Sequence, residues 1–173
     1  MKQAITFPNI PTPCSVSVLC RQREVSFTVD PISISLIVNT VLENEAESAD
    51  FTNVHFLSDR SMRQYHKRFF DDPTSTDCMS FPLDEKSHEG EPRHLGDIFV
   101  CPKTALLYAK NSEEGFWNEL LLYIVHGILH LLGYEDTDQT HRTHMRQRER
   151  SALKLLRKKN ISICGTLKIK TQI

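Results

Sequence analysis

The residues of the chain best suited to chemistry are two histidines, His126 and His130, in the segment 125–136. Four residues make about one turn of an α-helix, so both imidazoles leave the same helical face. This spacing suits two ligands of one tetrahedral Zn²⁺ ion. The neighbouring residues are mostly apolar, which predicts a buried helix, and an unpaired buried polar group costs about 1–3 kcal/mol. A metal ion would satisfy this histidine pair at once; hydrogen-bonded core histidines are the alternative.

Two glycines shape the expectation for the rest of this site. Gly127 lies inside the predicted helix, where glycine destabilises the helix by about 1 kcal/mol relative to alanine. Two explanations are open: a ligand or another backbone segment approaches closely at this position, or the helix packs tightly against its neighbour. Gly133 is expected to end the helix and turn the chain, which lets Asp136 fold back as the third ligand of a site with one open position. For Asp136 and also for Asp138, the alternative is that the carboxylate caps the following helix. Three other side chains compete for the role of third ligand: Asp138, His141 and His144.

The elements that position this segment follow from hydrophobic spacing and from capping residues. Strands and helices mix without a regular βαβ alternation. This predicts an α+β fold, a small mixed β-sheet packed against several helices, in a single metallohydrolase-like domain, residues 1–173. The weakly alternating tail, 160–173, is expected to be loose. The predicted strands are 16–19, 25–29, 51–57, 78–81 and 97–101, the helices are 32–47, 59–70, 102–110, 112–132 and 138–159, and the main loops are 21–24, 71–77 and 83–93.

Composition bounds the class of protein. A length of 173 residues suits one domain, and 39% hydrophobic with 25% charged residues excludes wholesale disorder. The formal net charge of -1 indicates neither nucleic acid nor membrane as a partner. The five cysteines include no CxxC pair, which favours reduced thiols. The apolar stretch 120–132 is shorter than the ~20 residues of a membrane-spanning helix, and the N-terminus lacks a signal-peptide pattern, so we expect a soluble cytoplasmic protein without membrane contact.

Three motifs give the chain a resemblance to a known family. The segment 126–134, HGILHLLGY, resembles the H-G-x-L-H-L-x-G-Y-D-H signature of the bacterial rRNA maturation endoribonuclease YbeY family. The segment 76–82, TDCMSFP, is similar to that family's T-D-V-L-S-F-P strand, and 95–98, LGDI, matches its L-G-D-I strand. The resemblance covers residues 51–136. It implies an α+β fold, one zinc ion held by three side chains with the histidine pair as the first two ligands, and hydrolysis of RNA in ribosome maturation.

The chain departs from the family pattern at two places. Where the family has its third histidine ligand the chain has Asp136, and Glu135 stands where Asp is usual. A carboxylate binds Zn²⁺ at about 2.0–2.2 Å, so we hypothesise that Asp136 completes a His₂Asp site around one zinc ion. Where the family places an arginine six positions before Thr76, the chain has Phe70. Arg68 nearby is then a candidate catalytic residue through a phosphate contact, although an arginine on a surface helix is more often merely solvated.

The last predicted helix supplies the positive charge that binding to RNA phosphates requires. Between residues 142 and 159 it carries eight basic residues against one acid, Glu149. An apolar stripe that includes Met145 and Leu156 predicts that the basic face points outward. We therefore predict that this helix binds RNA; a solvated face, with charges favourable at a helix C-terminus, is the alternative. The predicted contacts to RNA are Arg142, Arg146, Arg150 and Lys154.

Taken with these features, the family resemblance implies a zinc-dependent endoribonuclease of rRNA maturation and ribosome quality control, with an rRNA precursor and the small ribosomal subunit as expected partners. A three-ligand zinc lowers the pKa of water in its fourth position, which suits attack on a phosphodiester. No general base is assigned, and Asp97 is either an outer partner of the site or a structural residue at a strand end. A zinc hydrolase with a non-RNA substrate is disfavoured because Gly127 replaces the glutamate of the HExxH signature. The other alternative, favoured by Asp136, is a non-catalytic ribosome-associated RNA-binding protein.

Overall fold

The computed structural model describes residues 12–83, 91–110 and 112–168, and the elements within them confirm the α+β class. The predicted loop residues 84–90, the tail residues 169–173 and Asn111 lie outside the described residues. The elements in chain order are β1 (Ser15–Arg21), β2 (Ser26–Val29), α1 (Pro31–Glu45), β3 (Phe51–Leu57), α2 (Asp59–Phe70), β4 (Cys78–Pro82), β5 (His94–Val100), α3 (Pro102–Tyr108), α4 (Glu113–Leu131), α5 (Gln139–Lys158) and β6 (Gly165–Lys168).

Four of the strands form one mixed sheet in the order β1-β3-β5-β4. β1 pairs with β3 and β3 with β5 in parallel, whereas β4 runs antiparallel to β5. β2 is not part of this sheet; it pairs with β6 in a separate antiparallel ladder. Residues 165–168, in the tail that the sequence predicts to be loose, therefore form a strand against the N-terminal half of the chain. The threonine hydroxyls of Thr28 and Thr166 lie 2.9 Å apart across this ladder.

β5 begins at His94 rather than at Asp97, where the apolar alternation first becomes regular. The register of its pairing with β3 shifts between Phe51 and Asn53. Such an irregularity interrupts the alternation of inward and outward side chains from which strands are predicted. Gly96 lies at this irregularity with a φ of 137°, and a Cβ there would lie 2.3 Å from the carbonyl oxygen of Phe81. The strand thus continues through a glycine that, from the sequence alone, resembles the end of a loop.

The main core lies between α4 and one face of the mixed sheet. Ile98 of β5 and the α4 residues Ile124 and Ile128 are fully buried there, and α1 and α5 pack against the same helix. Successive strand residues point to opposite faces, so Phe99 of β5 faces away from α4. It meets the ring of Tyr65 on α2 at 5.0 Å. The mixed sheet is therefore covered by α4 on one face and by α2 on the other.

Side-chain caps fix where four of the helices begin, and Asp30 caps α1 by accepting from the backbone N–H of Ile32 at 3.0 Å. The hydroxyl of Ser58 accepts from the backbone N–H of Ser61 at the start of α2, and the hydroxyl of Ser112 accepts from that of Gly115 at the start of α4. Asp138 caps α5. These caps set the phase of each helix and hence the direction of the side chains that it carries. None of the helices within the described ranges is long and apolar enough to cross a membrane.

Candidate metal centre

Tight packing of α4 on the sheet places the histidine pair. His126 and His130 both lie on this helix, and Gly127 beside them faces β5. A Cβ at Gly127 would lie 2.5 Å from Cγ2 of Ile98, so glycine is required for this close approach. The Ser80 hydroxyl of β4 donates to the carbonyl of Gly127 at 2.9 Å. Helix packing, rather than close approach of a ligand, therefore explains the glycine inside the helix.

The chain reverses direction directly after α4. Gly133 has a φ of 88°, which a glycine adopts without strain. Its N–H donates to the carbonyl of His130 at 3.0 Å, and the N–H of Tyr134 donates to the carbonyl of Leu129 at 3.0 Å. These two bonds form a Schellman motif. The turn carries Asp136 back alongside the histidine pair.

The three predicted metal ligands lie together. The Nε2 atoms of His126 and His130 are 2.9 Å apart. Oδ2 of Asp136 lies 3.8 Å from Nε2 of His126, and its Oδ1 lies 3.9 Å from Nε2 of His130. One ligand atom from each residue falls within 4.8 Å of the others, and in the described part of the chain no second group of this kind occurs. The group is compact enough for one ion to contact all three side chains.

Hydrogen bonds from outside the group orient both imidazole rings. Nδ1 of His126 lies 2.7 Å from Oε1 of Glu149, and Nδ1 of His130 lies 2.8 Å from the backbone oxygen of Tyr134. Both partners are acceptors, so each Nδ1 carries a proton. In the neutral rings the lone pairs of the two Nε2 atoms then point toward each other, an arrangement that a shared cation satisfies. Imidazole nitrogen and carboxylate oxygen are ligands that Zn²⁺ accepts, so this donor set fits zinc.

The surroundings of the two rings shift their pKa values in opposite directions. Burial favours the neutral imidazole of His126, but the hydrogen bond and the charge of Glu149 outweigh it and raise the pKa of His126. Burial and the neighbouring His126 lower the pKa of His130. A metal ion that binds the pair must compete with protons for the ring nitrogens.

A buried carboxylate joins the two groups that orient the rings. The Tyr134 hydroxyl donates to Oε2 of Glu45 at 2.6 Å, and Nη2 of Arg148 lies 2.8 Å from the same oxygen. The side chain of Glu45 is 2% exposed. Burial opposes its ionisation, but hydrogen bonds from Arg148 and Tyr134 prevail and lower the pKa of Glu45. Glu45 on α1 thus links the turn that holds His130 to the part of α5 that carries Glu149.

Two cavities flank the histidine pair. The α2-side cavity, of about 520 Å³, is lined by both histidines and by Asp136, with its far wall formed by α2 and β4. The α5-side cavity, of about 270 Å³, is lined by His126 and Asp136 together with Glu149 and charged residues of α5. Asp77, next to the start of β4, lines both. His126 and Asp136 thus lie in the wall between the two cavities, and His130 faces the α2-side cavity.

The predicted RNA contacts form a row along one exposed face of α5, which we call the basic row. Its members are spaced by four residues, so they share a helical face. The first two also line the α5-side cavity, so the row begins beside the histidine pair. Arg148 instead pairs with Glu45 and Lys159 with Glu43, so these two cations are turned to α1. The basic row consists of Arg142, Arg146, Arg150 and Lys154.

The alternative third ligands have other partners. One carboxylate oxygen of Asp138 accepts from the backbone N–H groups of Thr140 and His141 at 2.8 and 2.9 Å, as a helix cap does. Its other oxygen lies 2.7 Å from Nδ1 of His141. His144 packs against the ring of Tyr134, with ring centroids 5.3 Å apart. The geometry therefore favours Asp136 over these three residues.

Two further candidates lie away from the histidine pair. Arg68 is exposed, with its guanidinium 5.4 Å from the ring centroid of Phe69, and it lines neither of the flanking cavities. A phosphate contact by Arg68 stays a prediction. Asp97 accepts from the Asn53 amide at 2.6 Å on the face of β5 that points away from α4. This placement favours a structural role for Asp97 over that of an outer partner of the site.

Sequence reasoning missed the groups that orient the histidine pair. Glu149 and Glu45 come from α5 and α1, and the Tyr134 acceptor is a backbone oxygen that carries no sequence signal. The isolation of Glu149 among basic residues was the available clue, because a single acidic residue in a basic helix suggests a specific partner elsewhere in the fold. Glu45 offered no comparable clue, since its role depends on the packing of α1 against α5.

A metal-binding group of two histidines and a carboxylate, open to cavities on two sides, is typical of metal-dependent hydrolases. The model of the family described as "Endoribonuclease YbeY" matches residues 19–157. The chain therefore belongs to the endoribonuclease YbeY family, which confirms the resemblance found in its motifs.

Individual relatives agree with this assignment. The endoribonuclease YbeY of Protochlamydia amoebophila is 35% identical over 74% of this chain and 91% of its own length. That of Chlamydia felis is 32% identical over 86% of this chain and 94% of its own length. Among solved structures, the solution structure of TM1509 from Thermotoga maritima matches with a TM-score of 0.51 and 21% identity, covering 84% of this chain and 92% of the other. This last likeness supports the fold alone.

Proposed function

We propose that the chain is a zinc-dependent endoribonuclease that cleaves precursor rRNA during ribosome maturation and quality control, in the cytoplasm and at the small ribosomal subunit. Its relatives carry the name endoribonuclease. The observation that carries the proposal is the pair of Nε2 atoms 2.9 Å apart, faced by the carboxylate of Asp136 at 3.8 and 3.9 Å. The lone pairs of two nitrogen atoms this close repel each other unless a proton or a metal ion lies between them.

One zinc ion would be held by His126, His130 and Asp136. When bound, it supplies Lewis-acid polarisation of a phosphoryl oxygen and makes water acidic enough to react near neutral pH. Three protein ligands leave a position open for chemistry, whereas structural zinc sites usually have four ligands and often include cysteine. Among the described residues no cysteine belongs to the group, which favours a catalytic over a structural ion.

The chain's own residues orient the ligands and hold the substrate. Glu149 and the Tyr134 carbonyl keep both Nε2 atoms directed at the ion position. Arg142 and Arg146, which line the α5-side cavity, attract the phosphate groups of RNA to the same place. Binding energy from these contacts positions the scissile phosphodiester against the ligands.

Cleavage assays with and without a chelator test the proposal. We expect the zinc-loaded protein to cut precursor rRNA, to lose that activity when zinc is chelated and to recover it when zinc returns, while a peptide and ester panel gives no turnover. Turnover of peptides or esters alone would indicate a hydrolase with another substrate. RNA binding without cleavage at any metal loading would instead favour a non-catalytic ribosome-associated protein.

A further inference from the structure

We propose that the α2-side cavity binds one nucleobase of the RNA, stacked on the exposed ring of Phe70, next to the phosphodiester at the histidine pair. The proposal rests on the proposed function, because it takes the histidine pair as the place of cleavage. It adds a subsite for a base, whereas the basic row provides contacts only to the phosphate backbone.

Phe70 stands out by its position rather than by its exposure. It is the last residue of α2 and is 56% exposed. Single exposed apolar residues are ordinary on protein surfaces. Phe70, however, lines the same cavity as His126 and His130. Its neighbour Phe69 is 51% exposed and lines neither flanking cavity, which makes it a matched reference.

The size and lining of the α2-side cavity suit a base. Its volume of about 520 Å³ exceeds what an ion and a few waters occupy, and it falls within the range of roughly 300–1,000 Å³ that is usual for ligand pockets. Besides Phe70, its apolar lining includes Met79 and Pro82. Polar groups come from Thr76 and His66, and the carboxylates of Asp77 and Glu135 join that of Asp136. A flat heteroaromatic ring with an amino group on its edge matches a cavity that combines apolar walls with hydrogen-bond acceptors.

His66 can recognise the edge of that base. Its Nδ1 lies 3.0 Å from the carbonyl oxygen of Thr74, so Nδ1 carries the proton and Nε2 of the neutral ring is an acceptor. The His66 ring also contacts that of Phe70, with centroids 5.4 Å apart. An exocyclic amino group of adenine or cytosine, stacked on Phe70, is the kind of donor that such a nitrogen accepts.

The order of the surfaces leads RNA to this cavity. The basic row begins in the α5-side cavity, and His126 and Asp136 form the wall that this cavity shares with the α2-side cavity. A strand that runs from the basic row across the histidine pair therefore reaches Phe70 next. Lys67 and Arg68 are exposed on the same end of α2, where they favour the continuing phosphate backbone.

RNA binding by the full chain tests the proposal without any need for cleavage. The probe is a short, labelled, single-stranded oligoadenylate, compared by fluorescence anisotropy with an oligomer of the same backbone that lacks bases. We expect Phe70→Ala to weaken oligoadenylate binding by about fivefold or more, the usual effect of losing one base–aromatic stack, and to leave binding of the abasic oligomer unchanged. Phe70→Trp should retain the affinity, and Phe69→Ala should behave as the unmodified chain. Phe70→Leu, checked by thermal unfolding, replaces the alanine variant if that one does not fold.

The outcomes separate this inference from the proposed function. Equal losses in the Phe70 and Phe69 variants, or unchanged oligoadenylate binding in the Phe70 variant, would overturn the base subsite even if the chain cleaves rRNA. A selective loss in the Phe70 variant supports the subsite, even if no cleavage is found at any zinc loading and the nuclease proposal falls.

Discussion

The histidine pair and the basic row lie side by side at α4 and α5, yet they are built in opposite ways. The histidine pair is partly buried, and partners from two other segments fix the orientation of both rings. The basic row is exposed, and spacing along α5 alone sets its geometry. This contrast indicates that the proposed metal site is organised in advance, because misplaced ligands cannot bind an ion well. The basic row, which we propose to bind RNA, stays solvated, because attraction to phosphates tolerates imprecise contacts.

The largest effect should come from removing a ligand. We expect His126→Ala to abolish metal binding at stoichiometric zinc and to lower RNA cleavage by more than about a hundredfold, since loss of an outer partner alone costs about 10–100-fold. Metal analysis and single-turnover cleavage measure both quantities. His141→Ala is the control, because His141 is exposed and its ring pairs with Asp138 rather than with the candidate ligands. An equal loss in both variants would mean that the histidine pair has no special role.

Loss of an orienting partner should have a smaller effect. Glu149→Gln keeps the shape of the side chain but weakens its hold on Nδ1 of His126, which lies 2.7 Å away. We expect zinc affinity to fall about 10–100-fold while the fold is retained. Competition with a chromogenic chelator gives the affinity. Glu135→Gln, at a carboxylate on the turn after α4, is the control for the change in charge, and the same weakening in that variant would argue against orientation by Glu149.

Substitution of Glu45 should affect the stability of the fold more than zinc binding or RNA cleavage. Its pKa is lower in the folded chain, so its contribution is present above the ordinary value of 4.5 and is lost as the pH falls through the folded value. We expect Glu45→Gln to lower the free energy of unfolding by about 1–3 kcal/mol at pH 7, because Arg148 and Tyr134 lose a charged acceptor. Urea denaturation at pH 7 and at acidic pH measures the difference. A deficit that does not shrink at acidic pH would contradict the assigned role of the carboxylate.

Substitutions in the basic row should have the smallest effect on the cleavage step itself and a clear effect on the salt dependence of RNA binding. We expect the double variant Arg146→Gln and Arg150→Gln to weaken RNA binding, with zinc content unchanged. The slope of log affinity against log salt should fall by roughly 0.7 for each phosphate that the variant no longer neutralises. The matched control is Arg157→Gln with Lys158→Gln at the far end of α5. Equal changes in both double variants would show that net charge, rather than the row, attracts RNA.

Much of the candidate site could be predicted because its three candidate ligands are local in sequence. His126 and His130 share a helical face through their spacing, and Gly133 signals the turn that returns Asp136. The contacts of Glu149 and Glu45 could not be predicted from spacing, since they depend on how α5 and α1 pack against α4; only the isolation of Glu149 among basic residues gave a clue.

The same distinction holds for the fold. Local patterns indicated the helices and most strands, and residue types favoured at helix caps, such as Ser58 and Asp138, begin two of the helices. The pairing of β2 with β6 joins residues far apart in the chain, and the sequence of neither strand identifies the other as its partner. Strand pairing of this kind is decided by the assembled core, which local periodicity does not describe.

The zinc content and coordination of the purified chain, prepared without chelator, test the central claim most directly. We expect about one zinc ion per chain, and X-ray absorption should show two imidazole nitrogens and a carboxylate oxygen at about 2.0–2.2 Å. A chain that contains no transition metal and takes up none when zinc is added would contradict the proposed centre and the nuclease chemistry that depends on it.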